Sequence, residues 1–514
     1  MRGRPVRELP WLVGVLGGWL GLWWRGYAYV PLPHFSSYDW MEYVPSAWMV
    51  VHGQDVGGYA TWRNPLYPGM LGGLGEWIGY NEAGWVIAST AMFMVVAGAG
   101  LGARTLAGPW AGMVAAMTIP FINPWAEASR WATLYPVLTA CTALALGAGA
   151  AMVRWPHWGW ATLAGLSAGI GWGVDFRGSA LVAAVLILMA LALKARPKRW
   201  QIPLALALTA AIGPWLNHSL AVADQRGTDT AVGTQRALEL RLAIESGDSA
   251  LVSACQQTTA TDAFPTPATF LDPCGQAFLV DNLDRLKEQA PFGVAFTMVF
   301  LGLALLPGRR GRRDSLTALV VFGCAWGTMA VMGVWARLNV HHFVQFAAPI
   351  AMTVPVGGAK LLATMGKHGT RMIPVAAVAS VLWIGTQGPW AGKPVSDLST
   401  AGEHRLLGQL VSKTQLLIRP EDVMLDCSGF GVEAALLPRS FHSGTPHFGN
   451  SVSHPRCQAW IAQPDATTGN AWLFTRQEPG DTALPNRWVL ATEWRDGPRH
   501  VQLWRHVDTS PARR

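Results

Sequence analysis

Eleven apolar runs, each about as long as a helix needs to cross a bilayer, most constrain what this chain can fold into. They fall near 11–29, 84–103, 106–122, 132–153, 158–174, 179–194, 201–221, 292–307, 315–335, 344–363 and 371–389. A helix spans the hydrocarbon core with about 20 residues. In lipid, the backbone must also satisfy its hydrogen bonds within its own segment. The expected fold class is an all-α polytopic membrane protein of about eleven transmembrane helices, with a small α/β extracytoplasmic C-terminal domain. Charged residues make up only 14% of the chain, well under the roughly 25% usual in water-soluble domains. The first run is read as an uncleaved span, because Trp19, Trp23, Trp24 and Arg25 stand where a signal peptide would carry small residues for cleavage.

The net charge of +8 does not indicate nucleic acid, because the basic residues form short clusters between apolar runs and not one face. The clusters are Arg2, Arg4 and Arg7; Arg104; Arg154; Lys194, Arg196, Lys198 and Arg199; Arg309, Arg310, Arg312 and Arg313; and Lys367 with Arg371. With eleven spans all of them fall on the side of the N-terminus, which is thereby cytoplasmic. The expected location is an inner or plasma membrane, crossed many times. Residues 1–390 form the transmembrane domain with long external loops at 30–83 and 222–291, and residues 391–514 form the extracytoplasmic domain. In that tail, Glu403 to Ile418 has helical spacing, and Val423 to Cys427 and Ala471 to Thr475 read as strands. Trp488 to Trp494 and His500 to His506 read as a hairpin around Asp496-Gly497.

Cysteine placement agrees with these sides. Cys255 and Cys274 share one external loop, and Cys427 and Cys457 share the external tail, while Cys141 and Cys324 fall inside spans. Disulfides 255–274 and 427–457 are the simplest pairing in an oxidising compartment, with free thiols as the alternative.

Candidate chemistry collects on the outer side, where ionisable groups beside a bilayer are costly to keep. In the first external loop Trp40, Met41, Val44, Ala47, Trp48 and Val51 have helical spacing and Gly53 ends the pattern, as in an interfacial amphipathic helix. Asp39 and Glu42 lie three apart in its first turn, beside Tyr43. Two roles are open to them. They can serve as a base or as metal-binding carboxylates, or they can complement a capped helix N-terminus at Ser36. Arg63 and Asn64 follow, before a turn read from Pro65-Leu66-Tyr67-Pro68. Arg63 suits a phosphate or an interfacial position equally well. Glu127 with Arg130 occupies the second loop, and Asp175 with Arg177 the third, each readable also as a local ion pair. After the ninth span come Arg337, Asn339, His341 and His342. Adjacent histidines on a helix point apart, so a shared metal is not expected there. No Walker loop, dinucleotide fingerprint, HExxH or GxSxG is present.

An ordered set of features resembles the GT-C superfamily of polytopic glycosyltransferases that use polyprenyl-phosphate-linked sugars. The set comprises the acid before an interfacial helix (Asp39 to Gly53), the NPLYP segment (Asn64 to Pro68) and the second-loop acid Glu127. It continues with the GWGVDFRGSAL break between the fifth and sixth spans and the GPWLNHS end of the seventh. The resemblance implies a transferase, inverting in mechanism, with a polyprenyl-phosphate sugar donor and a lipid, glycan or protein acceptor at the outer membrane face. It implies catalytic roles for Asp39 and Glu127 and a phosphate contact from Arg63 or Arg337; the reading of the residues themselves adds Glu42 as a catalytic candidate and Asp175, Arg177, His341 and His342 as substrate-binding candidates. No cofactor is fixed by these residues; a divalent metal on the carboxylates is left open. The competing classes are a lipid-linked glycan flippase or secondary transporter, and a non-catalytic membrane scaffold. Transporters carry ionisable groups or broken helices near the bilayer centre, often in two related halves. Here the acids gather at one face and no internal repeat is visible.

Overall fold

The computed structural model describes residues 4–27, 43, 47, 50–51, 66–122, 133–194, 253–255, 270–306, 312–335, 338, 345–387, 414, 416–419, 422–427, 455–464, 470–476, 484–496 and 499–507. Among these, ten of the eleven apolar runs coincide with helices, and the seventh, 201–221, lies outside the described residues. The helices are α1 (Arg4–Tyr27), α2 (Leu66–Ile78), α3 (Tyr80–Ala107), α4 (Pro109–Thr118, continued by a 3-10 turn Ile119–Phe121), α5 (Leu134–Arg154), α6 (Trp158–Val174) and α7 (Ser179–Leu193). They continue as α8 (Pro273–Gln289), α9 (Val294–Ala304), α10 (Arg312–Trp335), α11 (Ala347–Thr364) and α12 (Gly366–Gln387).

Among the described residues, five helical segments are long and apolar enough to cross a membrane: Glu82–Ala107, Leu134–Arg154, Arg312–Val334, Ala347–Thr364 and Gly366–Gln387. Helices α7 and α9 are apolar but shorter. The protein is therefore an integral membrane protein, and its number of crossings belongs to the proposals below. Two compact units are present. One comprises 1–28, 88–129 and 134–395, and the other 29–87, 130–133 and 396–514.

In the first unit α5 is buried along nearly its whole length, Leu144 and Arg154 apart. Its alanines, glycines and threonines let neighbours approach, and each of Thr139 and Thr142 returns its hydroxyl to the carbonyl four residues back, so neither presents an unpaired donor to lipid. The cations gather at one end of the helices and close their C-termini. Arg154 donates to Thr105 O (2.7 Å) at the end of α3, and Arg313 to Val153 O (2.8 Å) at the end of α5. Lys360 donates to Ala304 O (2.6 Å) and Leu306 O (2.9 Å) at the end of α9. Those carbonyls have no partner within their own helix, and a cation there also opposes the negative end of the helix dipole. Arg104 pairs with Glu8 at 2.5 Å between the Trp11 and Trp155 rings. Arg104, Arg154 and Arg313, which the charge pattern assigned to one side, thus share an end. The opposite end holds the first turn of α5 and the α6–α7 connection, and Cys255 is bonded to Cys274 in the first turn of α8.

The second unit contains the tail domain. Strands β1 (Val423–Cys427), β2 (Ala471–Arg476), β3 (Trp488–Asp496) and β4 (Arg499–His506) form one sheet in the order β1-β2-β4-β3. β1 and β2 are parallel, with Val423 opposite Ala471, and α13 (Pro455–Ala462) lies between them in sequence. A parallel pair requires such a crossover. β4 pairs antiparallel with both β2 and β3, and the β3–β4 hairpin slips register between Leu490 and Thr492. One face of the sheet packs on α13 through Leu425, Leu473, Trp460, Ile461 and Trp488. Cys427 at the end of β1 is bonded to Cys457 in α13. The expected strands and both disulfides are present. Of the expected helix Glu403 to Ile418, Thr414, Leu416 and Leu417 are helical, Ile418 is a bend, and the rest lies outside the described residues.

The NPLYP segment is a correction. A turn was expected there, but a helix begins at Leu66 and takes Tyr67 and Pro68 into its first turn. The missing N–H of a proline costs nothing there, because the first four amides of a helix have no acceptor within it.

Candidate active site

Two helical pieces of the segment 30–83 meet in the second unit. Tyr43, Ala47, Val50 and Val51 are helical and pack on α2. Tyr43 and Tyr67 are both fully buried, their rings edge-to-face with centroids 5.2 Å apart. Further along, Gly72 faces Ala47 and Val51 so closely that a Cβ on it would sit 2.5 Å from both Ala47 O and Val51 Cγ2. Only glycine allows that approach. Because Tyr43 meets Tyr67 and Ala47 meets Gly72, the two pieces run in the same sense. Asp39 and Glu42, which precede Tyr43, and Arg63, which precedes Leu66, lie outside the described residues, as do Glu127, Arg337, His341 and His342.

Asp175 and Arg177 are described, and the structure brings them together. They sit where α6 ends and a 3-10 turn, Phe176–Gly178, leads into α7. Arg177 Nε donates to Asp175 Oδ1 (2.6 Å) and Nη2 to Oδ2 (2.9 Å), a two-point fork. The backbone N–H of Arg177 also donates to Oδ1 at 2.9 Å, so the carboxylate caps the turn. The guanidinium lies over Tyr135, 5.4 Å from the ring centroid, in the first turn of α5. Gly178 lets the turn fold back on α6, since a Cβ there would lie 2.2 Å from both Gly171 C and Trp172 N. The pair closes the break between two helices and leaves its charges matched.

An apolar groove of about 560 Å³ opens in the first unit between α4, α9, α11 and α12. Trp110, Phe292, Phe296, Phe300 and Trp383 line it, with Phe292 and Trp383 stacked at 5.8 Å. Ser380 is the one hydroxyl in its lining and no charged side chain lines it, so it suits a hydrocarbon chain and not a head group. Among the described residues no three His, Cys, Asp or Glu side chains are placed to hold a metal.

Tyr67, Tyr135 and Gly72 were not singled out by sequence reasoning. Tyr67 carried a usable signal, an aromatic residue inside a proline-framed segment, but its partner is not local. No family model matches the chain, and no curated protein sequence matches it. Solved structures do. ArnT from Cupriavidus metallidurans, in the crystal structure bound to undecaprenyl phosphate, superposes with a TM-score of 0.56 at 14% identity, covering 99% of each chain. This chain shares the fold of that ArnT. The apo state of the same ArnT gives 0.53 at 15% identity, covering 96% of this chain and 97% of that one. The apo oligosaccharyltransferase of Archaeoglobus fulgidus matches at 0.45 and 12%, covering 91% of this chain and 69% of that one.

Proposed function

We propose that this GT-C-fold protein transfers a sugar from a polyprenyl-phosphate-linked donor to an acceptor at the outer face of the membrane. The observation that carries this reading is a likeness over 99% of both chains to a protein whose structure holds undecaprenyl phosphate. Two local features support it. In sequence Asp39 stands four residues before Tyr43 and Arg63 four residues before Tyr67, and the rings of those two tyrosines touch. The apolar groove offers lipid-like walls suited to an isoprenoid chain.

In this reading the Asp39 carboxylate, supported by Glu42 and Glu127, takes the proton of the acceptor hydroxyl as that oxygen bonds to the anomeric carbon. The bond from that carbon to the phosphate oxygen breaks at the same time, and the polyprenyl phosphate leaves with the electron pair. Arg63 and Arg337 stabilise its charge. One displacement inverts the anomeric centre. His341 and His342 lie beside Arg337 in sequence and are assigned to substrate contact. The eleven crossings, the cytoplasmic N-terminus and the division at residue 390 belong to the same proposal, supported by the shared end of Arg104, Arg154 and Arg313.

The test is sugar transfer in membranes containing Asp39→Asn, Glu42→Gln or Glu127→Gln at normal abundance. Loss of transfer in Asp39→Asn supports the reading, because an amide keeps the capping oxygen but is no base. If Asp39→Asn transfers normally and Glu127→Gln does not, Glu127 is the base. If all three transfer normally, none of these carboxylates is the base, and if transfer is the same in membranes lacking the protein, the enzyme reading falls in favour of a scaffold or flippase.

A further inference from the structure

Three arginines are drawn together at one end of the first unit. Arg154 Nη1 donates to Thr105 O, next in sequence to Arg104, and Arg313 Nη2 donates to Val153 O, next in sequence to Arg154. The guanidinium carbons of Arg104 and Arg154 both stand over the Trp155 ring, 4.5 and 5.5 Å from its centroid. Four helices contribute: the start of α1 through Glu8, the last turns of α3 and α5, and the first turn of α10. Two acids accompany the cations. Glu8 pairs with Arg104, and Asp314, in the first turn of α10, acts on Lys360. Positive charge is therefore in excess. Arg104, Arg154 and Arg313 are each partly exposed, so a ligand can reach them.

Closing a helix needs less than these side chains supply. Lys360 closes α9 with one ammonium, whereas a guanidinium carries five N–H groups in a flat fork that matches two oxygens of a phosphate. In Arg313 the carbonyl of Val153 takes one donor, and Nε is buried and bonds to no protein atom. A buried donor without an acceptor is costly, and a phosphate oxygen supplies one. The depth of the cluster identifies the source of that phosphate. Trp155 stands in the α5–α6 connection and Trp158, 57% exposed, begins α6, and tryptophan prefers the head-group layer of a bilayer. The geometry points to a binding site for the phosphodiester head group of an anionic phospholipid, held by Arg104, Arg154 and Arg313 beside Trp155. Basic pockets between spanning helices take such lipids. The site lies at the end of the helices opposite the Asp175–Arg177 turn and is independent of the sugar-transfer reading.

The experiment uses the full chain in mild detergent, with native mass spectrometry comparing retained phosphatidylglycerol and phosphatidylcholine. The wild type is expected to retain phosphatidylglycerol in preference. Arg154→Gln and Arg313→Gln keep an amide donor for the carbonyl and lose the charge, and each should weaken phosphatidylglycerol about fivefold with phosphatidylcholine unchanged. Lys367→Gln removes an exposed cation at the start of α12 and should alter neither lipid. Equal retention of the two lipids by the wild type, undiminished phosphatidylglycerol in both arginine variants, or an equal loss in Lys367→Gln overturns the site. An excess of inorganic phosphate is expected to leave the lipid bound; displacement would mean a free-anion site and overturns the lipid assignment. If the arginine variants do not accumulate, phosphatidylglycerol with a photoactivatable head group decides on the wild type. Cross-links in the peptides containing Trp155 or Arg313 support the site, and cross-links confined to other peptides overturn it.

Discussion

Arg177 grips Asp175 at two points, 2.6 and 2.9 Å, with each side chain only 8% exposed. Breaking such a buried pair leaves one charge uncompensated, at a cost of about 3–5 kcal/mol. Asp175→Asn or Arg177→Gln is therefore expected to lower the thermal midpoint of the purified protein sharply. The double variant Asp175→Asn/Arg177→Gln should recover part of that loss. If either single variant keeps the wild-type midpoint but loses sugar transfer, the pair acts on substrate and not on the helix break.

Gly72 and Gly73 are adjacent on α2 but meet different surroundings. A methyl on Gly72 would strike Ala47 O and Val51, whereas nothing lies within 4 Å of one on Gly73. Gly72→Ala should push the Tyr43 segment off α2, costing about 1–3 kcal/mol as overpacking does. Gly73→Ala should be neutral or slightly stabilising, since alanine favours a helix. Thermal midpoints of the two variants check this, and equal losses would refute the contact.

Asp422 anchors the tail domain. It is buried and accepts hydrogen bonds from Arg419 N, Asn470 N, Asn470 Nδ2 and Trp472 Nε1. Burial pushes its carboxyl up, but the backbone donors of Arg419 and Asn470 and the side chains of Trp472 and Asn470 outweigh this and hold it below the ordinary carboxylate value of 3.8. A carboxyl with a depressed folded-state pKa contributes stability that is full above its unfolded value and is lost as pH falls through the folded value. Asp422→Asn should therefore cost about 1–3 kcal/mol at neutral pH, because its amide turns a donor toward donors. The deficit against wild type should shrink below pH 4. Denaturation followed by tryptophan fluorescence at pH 7 and pH 3 reads it, and an equal deficit at both would count against the carboxylate's role.

Topology is open to direct measurement. Eleven spans place three crossings between Pro307 and Trp390, so reporter fusions after these two residues are expected to report opposite compartments. The fusion after Trp390 should be extracytoplasmic. The same compartment for both would overturn the span count.

Much of the framework was legible without coordinates, because the signals involved are local. A run of about 20 apolar residues has to be helical in lipid, and short β-prone runs, two of them flanking Asp496-Gly497, marked Val423–Cys427 and the hairpin strands. Two cysteines in the segment 222–291 and two in the tail left one simple pairing in each. The charge clusters identified which helix ends belong together, since translocation sorts Arg and Lys by side.

Tertiary structure alone decided what each of those pieces touches. Proline at position 68 is compatible with either a turn or a first helical turn, and packing of Tyr67 and Gly72 on Tyr43 and Ala47 selects the helix. Periodicity marked the face of Val44, Ala47, Trp48 and Val51 as apolar, but it could not show that the stripe through Tyr43 and Ala47 is the one buried on α2. Nor could it show that Arg154, Arg313 and Lys360 reach carbonyls of other helices, or that Asn282 meets Gly333 and Leu338 some fifty residues away. The physical reason is the same each time. Hydrophobic period and span length follow from neighbours in sequence, whereas a hydrogen-bond partner or a glycine contact exists only once distant segments have packed.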